Sequence, residues 1–170
     1  MNEVLIAVTG LGWMGRGARS IESTLDDILS AAQDEVWFVV YAVSPVAGRA
    51  FDKLENLLIH GVRVHMIINR LDTQPEETIH ALMAMKDSYS HFHLYSFESK
   101  EQADLHAKVI VVDGKQALIG SANFSQRAWT YNHEMALLVK GPVAGQIAQV
   151  VQRLAQSVFC KPVGTLERKM

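Results

Sequence analysis

The sequence predicts an α/β protein, a single domain with one mixed β-sheet and helices on both of its faces. Three observations carry that prediction. Short β-branched runs alternate with segments whose apolar residues recur every three or four positions. One run, Val36-Trp37-Phe38-Val39-Val40-Tyr41, is apolar throughout, as a strand covered on both faces must be. Further on, two apolar runs flank Asp113-Gly114, the dipeptide that most strongly marks a tight antiparallel reversal. Crossover units followed by hairpins make a sheet of mixed direction.

Taken in order, Val4 to Val8 reads as a short strand ending in the turn Thr9-Gly10-Leu11-Gly12-Trp13-Met14-Gly15-Arg16-Gly17. From Ala18 to Ala32 the residues Ile21, Leu25, Ile28 and Leu29 lie on one helical face. Val36 to Tyr41 is the apolar strand, broken at Ser44-Pro45. Phe51, Leu54, Leu57 and Leu58 mark a second helix, closed by Gly61. Val62 to Ile68 alternates as a strand. A third helix starts at Thr73-Gln74-Pro75-Glu76, and His91 to Phe97 alternates again. Leu105 to Val112 and Gln116 to Ile119 form the hairpin, Glu134 to Val139 a further strand, and Val143 to Phe159 a closing helix. The tail from Lys161 to Met170 reads as frayed.

Composition sets the outer limits. A chain of 170 residues with 49% hydrophobic and 20% charged residues is ordinary globular material. At this size a single domain spanning 1–170 buries roughly 70% of its unfolded surface without a staple. One cysteine, Cys160, excludes an intrachain disulfide and a multi-cysteine zinc site. A net charge of −2 supplies no bulk attraction to nucleic acid or anionic lipid, so any phosphate must be held locally. No apolar run approaches the ~20 residues of a bilayer span, and Met1-Asn2-Glu3 lacks a basic leader segment. A soluble cytoplasmic protein without a membrane role is the expectation.

Gly10-Leu11-Gly12-Trp13-Met14-Gly15 matches G-x-G-x-x-G between a strand and a helix, the setting of a dinucleotide-binding turn. Two residues argue against that use. The second strand runs into Ala42-Val43-Ser44 with no acid to hold a ribose, and Trp13 crowds the place where pyrophosphate would approach. The turn is better read as a border of the site than as a cofactor loop. No cofactor is expected.

The chemistry concentrates between Leu105 and Asn123. On an extended chain His106 and Lys108 leave the same face, with small Ala107 pointing away. Lysine is almost never fully buried unpaired, so this pair points to a cleft. The reversal at Asp113-Gly114 returns the chain to Gly120-Ser121-Ala122-Asn123 at the same end of the sheet. Ser121 brings a hydroxyl, Asn123 an amide and Lys108 a fixed charge, a set of donors for phosphate oxygens.

The spacing H-x-K, four residues, D, six residues, G-S-x-N resembles the HKD motif of the phospholipase D superfamily, matched by His106, Lys108, Asp113, Gly120, Ser121 and Asn123. The order of elements before it resembles the small bacterial nucleases of that family, and Asn132-His133-Glu134 resembles the start of its glutamate-bearing strand. The resemblance implies a phospholipase D/nuclease-like fold and a metal-free phosphodiester exchange. In that scheme His106 attacks phosphorus and becomes a phosphohistidine, while a second histidine protonates the leaving oxygen. Lys108, Asn123 and Ser121 would hold the phosphate. Glu134 would accept the other ring N–H of His106. Asp113, five residues along from Lys108, is expected to organise the turn rather than to touch substrate.

The scheme needs two histidines and the chain carries one motif. His60, His65, His80, His91, His93 and His133 all lack the H-x-K context. A twofold homodimer with one shared site follows as the expectation. Its two identical rings, one neutral and one protonated, predict a bell-shaped pH profile. His91 and His93 share a strand face, with no acid or cysteine at matching spacing to complete a metal site. Small single-motif members imply a DNA or RNA endonuclease, with a place in a restriction or defence system; lipid phosphodiesters, through phospholipase or phosphatidyl transfer, are the alternative. Gln126-Arg127-Ala128-Trp129-Thr130-Tyr131 offers Arg127 as a cation and Trp129 as a stacking ring, unless this is a packed crossover with Trp129 in the core. Arg16, Arg19 and Lys100 are further candidates to line a groove. From Glu101 to Lys140 four acids balance four bases, so no basic stripe marks the path of a polyanion.

Overall fold

Among the described residues, nine strands join in a single sheet in the order β2-β1-β8-β7-β6-β3-β4-β5-β9. They are β1 (Glu3–Thr9), β2 (Arg19–Ser20), β3 (Glu35–Val40), β4 (Arg63–Asn69), β5 (Phe92–Phe97), β6 (Val109–Val112), β7 (Gln116–Gly120), β8 (Glu134–Lys140) and β9 (Cys160–Pro162). The structure, a computed structural model, describes residues 1–13, 15, 17–44, 49–101 and 103–164. β3, β4 and β5 run parallel, as their crossovers dictate. β6, β7, β8 and β1 continue the sheet antiparallel from β3.

Five helices flank the sheet among the described residues: α1 (Ile21–Ser30), α2 (Arg49–Ile59), α3 (Glu76–Ser88), α4 (Gln126–Thr130) and α5 (Pro142–Ala155). The first four pack on one face, around Leu25, Phe38, Leu54, Met66, Leu82 and Phe124. α5 alone packs on the other, through Ala144, Ala148 and Val151 against Trp37, Val39, Ile67 and Val111. The apolar strand β3 is buried on both faces because it lies between these two layers. None of the helices is long and apolar enough to cross a membrane among the described residues.

Several sequence expectations need correction. The strand expected from Leu105 begins only at Val109, because its neighbours end there: β3 stops at Val40 and β7 at Gly120. α4 forms unannounced, its first turn capped by Ser125 Oγ, which accepts from the Ala128 N–H. The tail is not frayed at its start, since Cys160–Pro162 pairs with β5 as β9; residues 165–170 lie outside the described residues. So do Pro45 of the expected break, and Met14 and Arg16 of the glycine-rich turn.

Candidate active site

One end of the sheet gathers the carboxyl ends of β1, β3, β4 and β7 with the amino ends of β6 and β8. In α/β sheets this is where ligands bind, because loops there are free to carry function. His106 and Lys108 stand at this end on the extended lead-in to β6. The lead-in is fixed from two sides: Gly120 N–H donates to the Lys108 carbonyl at 3.2 Å, and Leu105 N–H donates to Asn69 Oδ1 at 2.8 Å. Asn69, buried at the end of β4, donates in turn to Asp104 at 3.2 Å, which also pairs with Arg70 at 3.4 Å.

His106 is exposed and Lys108 half-buried. Lys108 Nζ lies 3.0 Å from Nδ1 and 3.3 Å from Nε2 of the His106 ring, and donates to the His106 carbonyl at 2.8 Å. The Tyr41 ring backs both: its centre is 5.0 Å from the His106 ring and 5.4 Å from Lys108 Nζ. Burial lowers the pKa of the Lys108 ammonium, an effect that the nearby Glu134 carboxylate opposes.

β7 reaches the same place because residue 120 is glycine. A Cβ there would lie 2.3 Å from the Met135 carbonyl oxygen and 2.6 Å from Ala136 Cβ, so any side chain would pry β7 from β8. Ser121 follows, donating through Oγ to Glu134 Oε2 and accepting from the Met135 N–H at 3.3 Å. Asn132 Nδ2 donates to the other Glu134 oxygen at 3.1 Å. The expected Glu134–His106 hydrogen bond is therefore not made within the chain; the carboxylate is held by Ser121 and Asn132 instead. Asn123 lines the floor between Lys108 and Gly120, and its Oδ1 is buried without a partner. Such an uncommitted polar group is costly unless a ligand uses the site.

Three residues singled out in the sequence do not face substrate at His106. Asp113 sits at the opposite end of the sheet, where its carboxylate accepts the backbone N–H groups of Gln33, Asp34 and Glu35 at 3.0, 2.9 and 2.9 Å. Burial would raise its pKa, but these three N–H donors and Lys115 hold it below the ordinary carboxylate value. It anchors the start of β3 and cannot reach substrate at His106. Trp129 is 3% exposed and packs edge-on against Phe124, so it belongs to the core rather than to a stacking surface. Lys100 lies past the end of β5, in a separate cluster with Glu98, Phe159 and Lys161. Arg19 is engaged with Asp27. Arg127 is exposed beside Asn132, at 3.4 Å, on the flank of the site. Tyr41 and Asn69 were not picked out from the sequence. Asn69 carried a signal: a polar residue closing an apolar parallel strand stands where sites form.

Residues 25–158 match the family model described as "Cardiolipin synthase, PLD-like domain". The chain is 26% identical over 146 residues to the DISARM protein DrmC of Bacillus paralicheniformis, covering 85% of this chain and 60% of that protein. It is 25% identical over 154 residues to cardiolipin synthase C of Escherichia coli, covering 79% of this chain and 32% of that protein. It thus spans about three fifths and one third of those relatives. Among solved structures, Nuc, a phospholipase D family member from Salmonella typhimurium, superposes with a TM-score of 0.74 at 19% identity over 96% of this chain and 99% of that one. NucT from Helicobacter pylori gives 0.71 at 17% over 95% and 100%. The phosphatidylserine synthase of Haemophilus influenzae gives 0.73 at 17% over 96% of this chain and 40% of that one. An exposed histidine backed by a lysine, a serine and an asparagine, on a sheet of this order and in a sequence matched over most of its length, places the chain in the phospholipase D superfamily of phosphodiester-acting enzymes.

Proposed function

We propose that this chain is a metal-independent nuclease that cuts nucleic acid through a phosphohistidine, at a site shared by two copies of the chain. The observation that carries the reading is the exposed His106 imidazole beside Lys108, at the sheet end that also holds Ser121 and Asn123. A nitrogen of His106 attacks phosphorus as the bond to the leaving oxygen breaks, and His106 of the partner subunit gives that oxygen its proton. Water then attacks phosphorus, yielding its proton to the same second imidazole, and the N–P bond breaks. Lys108 and Asn123 stabilise the equatorial oxygens, with Ser121 oriented by Glu134 to join them.

Two features support sharing. Val4 and Ile6 on β1, with Met135 and Leu137 on β8, form an exposed apolar strip on the face that α5 leaves uncovered. An apolar groove between β6, β7 and α5, lined by Ala107, Val109, Ile119, Ile147 and Val150, lies on that face too. A second copy of the chain would cover this exposed apolar surface. Because Ala107 borders the groove, a second copy docked there would come close to His106.

For the substrate, the open site suits a polymer laid across it better than an acyl chain needing an enclosed apolar pocket. The whole-length likeness to Nuc and NucT supports the same choice. A place in a defence system extends the reading, supported by the likeness to the DISARM protein. The test is incubation with DNA, RNA and phosphatidylcholine vesicles in excess EDTA, with sedimentation of the same sample. Nicked nucleic acid from a dimer is expected. Lipid turnover alone, or full activity from a monomer, would overturn the reading.

A further inference from the structure

The described start of the glycine-rich turn, Gly10 to Trp13, is specified closely. It is moulded on the ring of His133, the residue before Glu134. A Cβ on Gly10, which sits at φ +108°, would come within 2.7 Å of His133 Cγ and Cδ2, and one on Gly12 within 3.0 Å of Nε2. The missing side chains let the Gly12 N–H donate to His133 Nε2 at 3.1 Å. The turn then presents Trp13. Its indole N–H donates to the Thr9 carbonyl at 2.6 Å, and its ring leans on His133 with centres 5.8 Å apart.

This ring is therefore anchored at its polar edge and braced on one side, while 42% of the residue stays open to solvent. Thr9, whose carbonyl anchors the Trp13 ring, pairs with Glu134 across β1 and β8, so the ring stands at the same end of the sheet as the carboxylate that orients Ser121. Trp37 and Trp129, at 7% and 3% exposed, are both buried in the two cores. A fixed aromatic face at the rim of a phosphate site is what stacking a nucleobase requires, since little ordering entropy remains to be lost on binding. A paired base hides its face in the duplex stack; an unpaired one offers it.

We infer that Trp13 is the stacking platform for an unpaired base next to the scissile phosphate, and that it gives the enzyme its preference for single-stranded nucleic acid. This rests on the nuclease reading above. The test uses the dimeric enzyme, Trp13→Ala, Trp13→Phe and a single-stranded oligonucleotide, intact or with abasic positions. Because the other two indoles are buried, oligonucleotide should quench tryptophan fluorescence in the wild type but not in Trp13→Phe. Trp13→Ala should raise KM about tenfold, the larger part of its effect, with Trp13→Phe close to wild type. Abasic positions flanking the cut should weaken the wild type to the level of Trp13→Ala and leave that variant unchanged. Cleavage with an unaltered KM in Trp13→Ala would overturn the inference and spare the nuclease reading. Quenching through Trp13 without cleavage would do the reverse, and neither quenching nor cleavage would remove both.

Discussion

The six matching residues of the HKD motif occupy two ends of one sheet, and the two ends are built on opposite terms. At the His106 end the polar groups are exposed, half-buried or unpartnered: an open imidazole, a lysine of lowered pKa, an orphaned Asn123 oxygen. At the Asp113 end the carboxylate is committed to three backbone N–H groups. Asp113 and Gly114 take φ of 51° and 62°, the left-handed region where glycine and short polar residues are tolerated. The motif therefore divides into an open half, where the proposed chemistry sits, and a scaffold half. The scaffold half fixes the register of β6 and β7, which in turn sets where Lys108 and Ser121 arrive.

That division can be broken by substitution. His106→Ala should lower turnover by about 10⁴-fold or more while the melting temperature holds, since an exposed ring contributes little packing; a variant that cuts at wild-type rate would end the assignment. Trp129→Ala, directly beneath the site, should destabilise the fold by about 3–5 kcal/mol through the cavity it leaves. If it raised KM at unchanged stability instead, Trp129 would belong to the substrate surface. Asp113→Ala should cost about 2–3 kcal/mol by orphaning three N–H donors, read in denaturant titration, with the rate per folded molecule preserved. Because its folded pKa is depressed, Asp113 contributes fully above about pH 4 and loses that contribution as pH falls through its folded value. In Asp113→Asn that acid-side loss should be absent.

The smallest effect lies on the face that α5 only partly covers. Trp37, His65 and His93 stack across β3, β4 and β5, with ring centres 4.0 and 4.7 Å apart. Burial first, then His93 and Arg63, push the His65 pKa down to about 4. The unfolded chain binds the proton more readily, so stability should fall as pH drops from about 6.5 towards 4. His65→Phe should keep the stack and flatten that slope; an unchanged slope would place the titration elsewhere.

Much of this was legible in the sequence because spacing and alternation act locally. H-x-K on extended chain fixes a shared face, Asp113-Gly114 fixes a reversal, and Gly120 fixes a close approach. What was not legible depends on partners distant in the chain. Nothing near Leu105 says that β3 and β7 end at Val40 and Gly120, leaving His106 beyond the ladder. Ser121 and Asn132 meet Glu134 only through folding, so no local pattern announced them as its partners within the chain. The aromatic residues show the same limit: the sequence leaves Trp129 open between surface and core, and only packing buries it while propping up Trp13. The start of the tail gave no alternating pattern, so its pairing with β5 went unread.

The central claim is that two chains share one pair of imidazoles. Wild type and His106→Ala should be co-refolded in equal amounts, so that random pairing makes about one quarter of the dimers wild type on both sides. The account predicts that activity falls to that quarter. Activity of one half, linear in the wild-type fraction, would mean that each chain cuts alone.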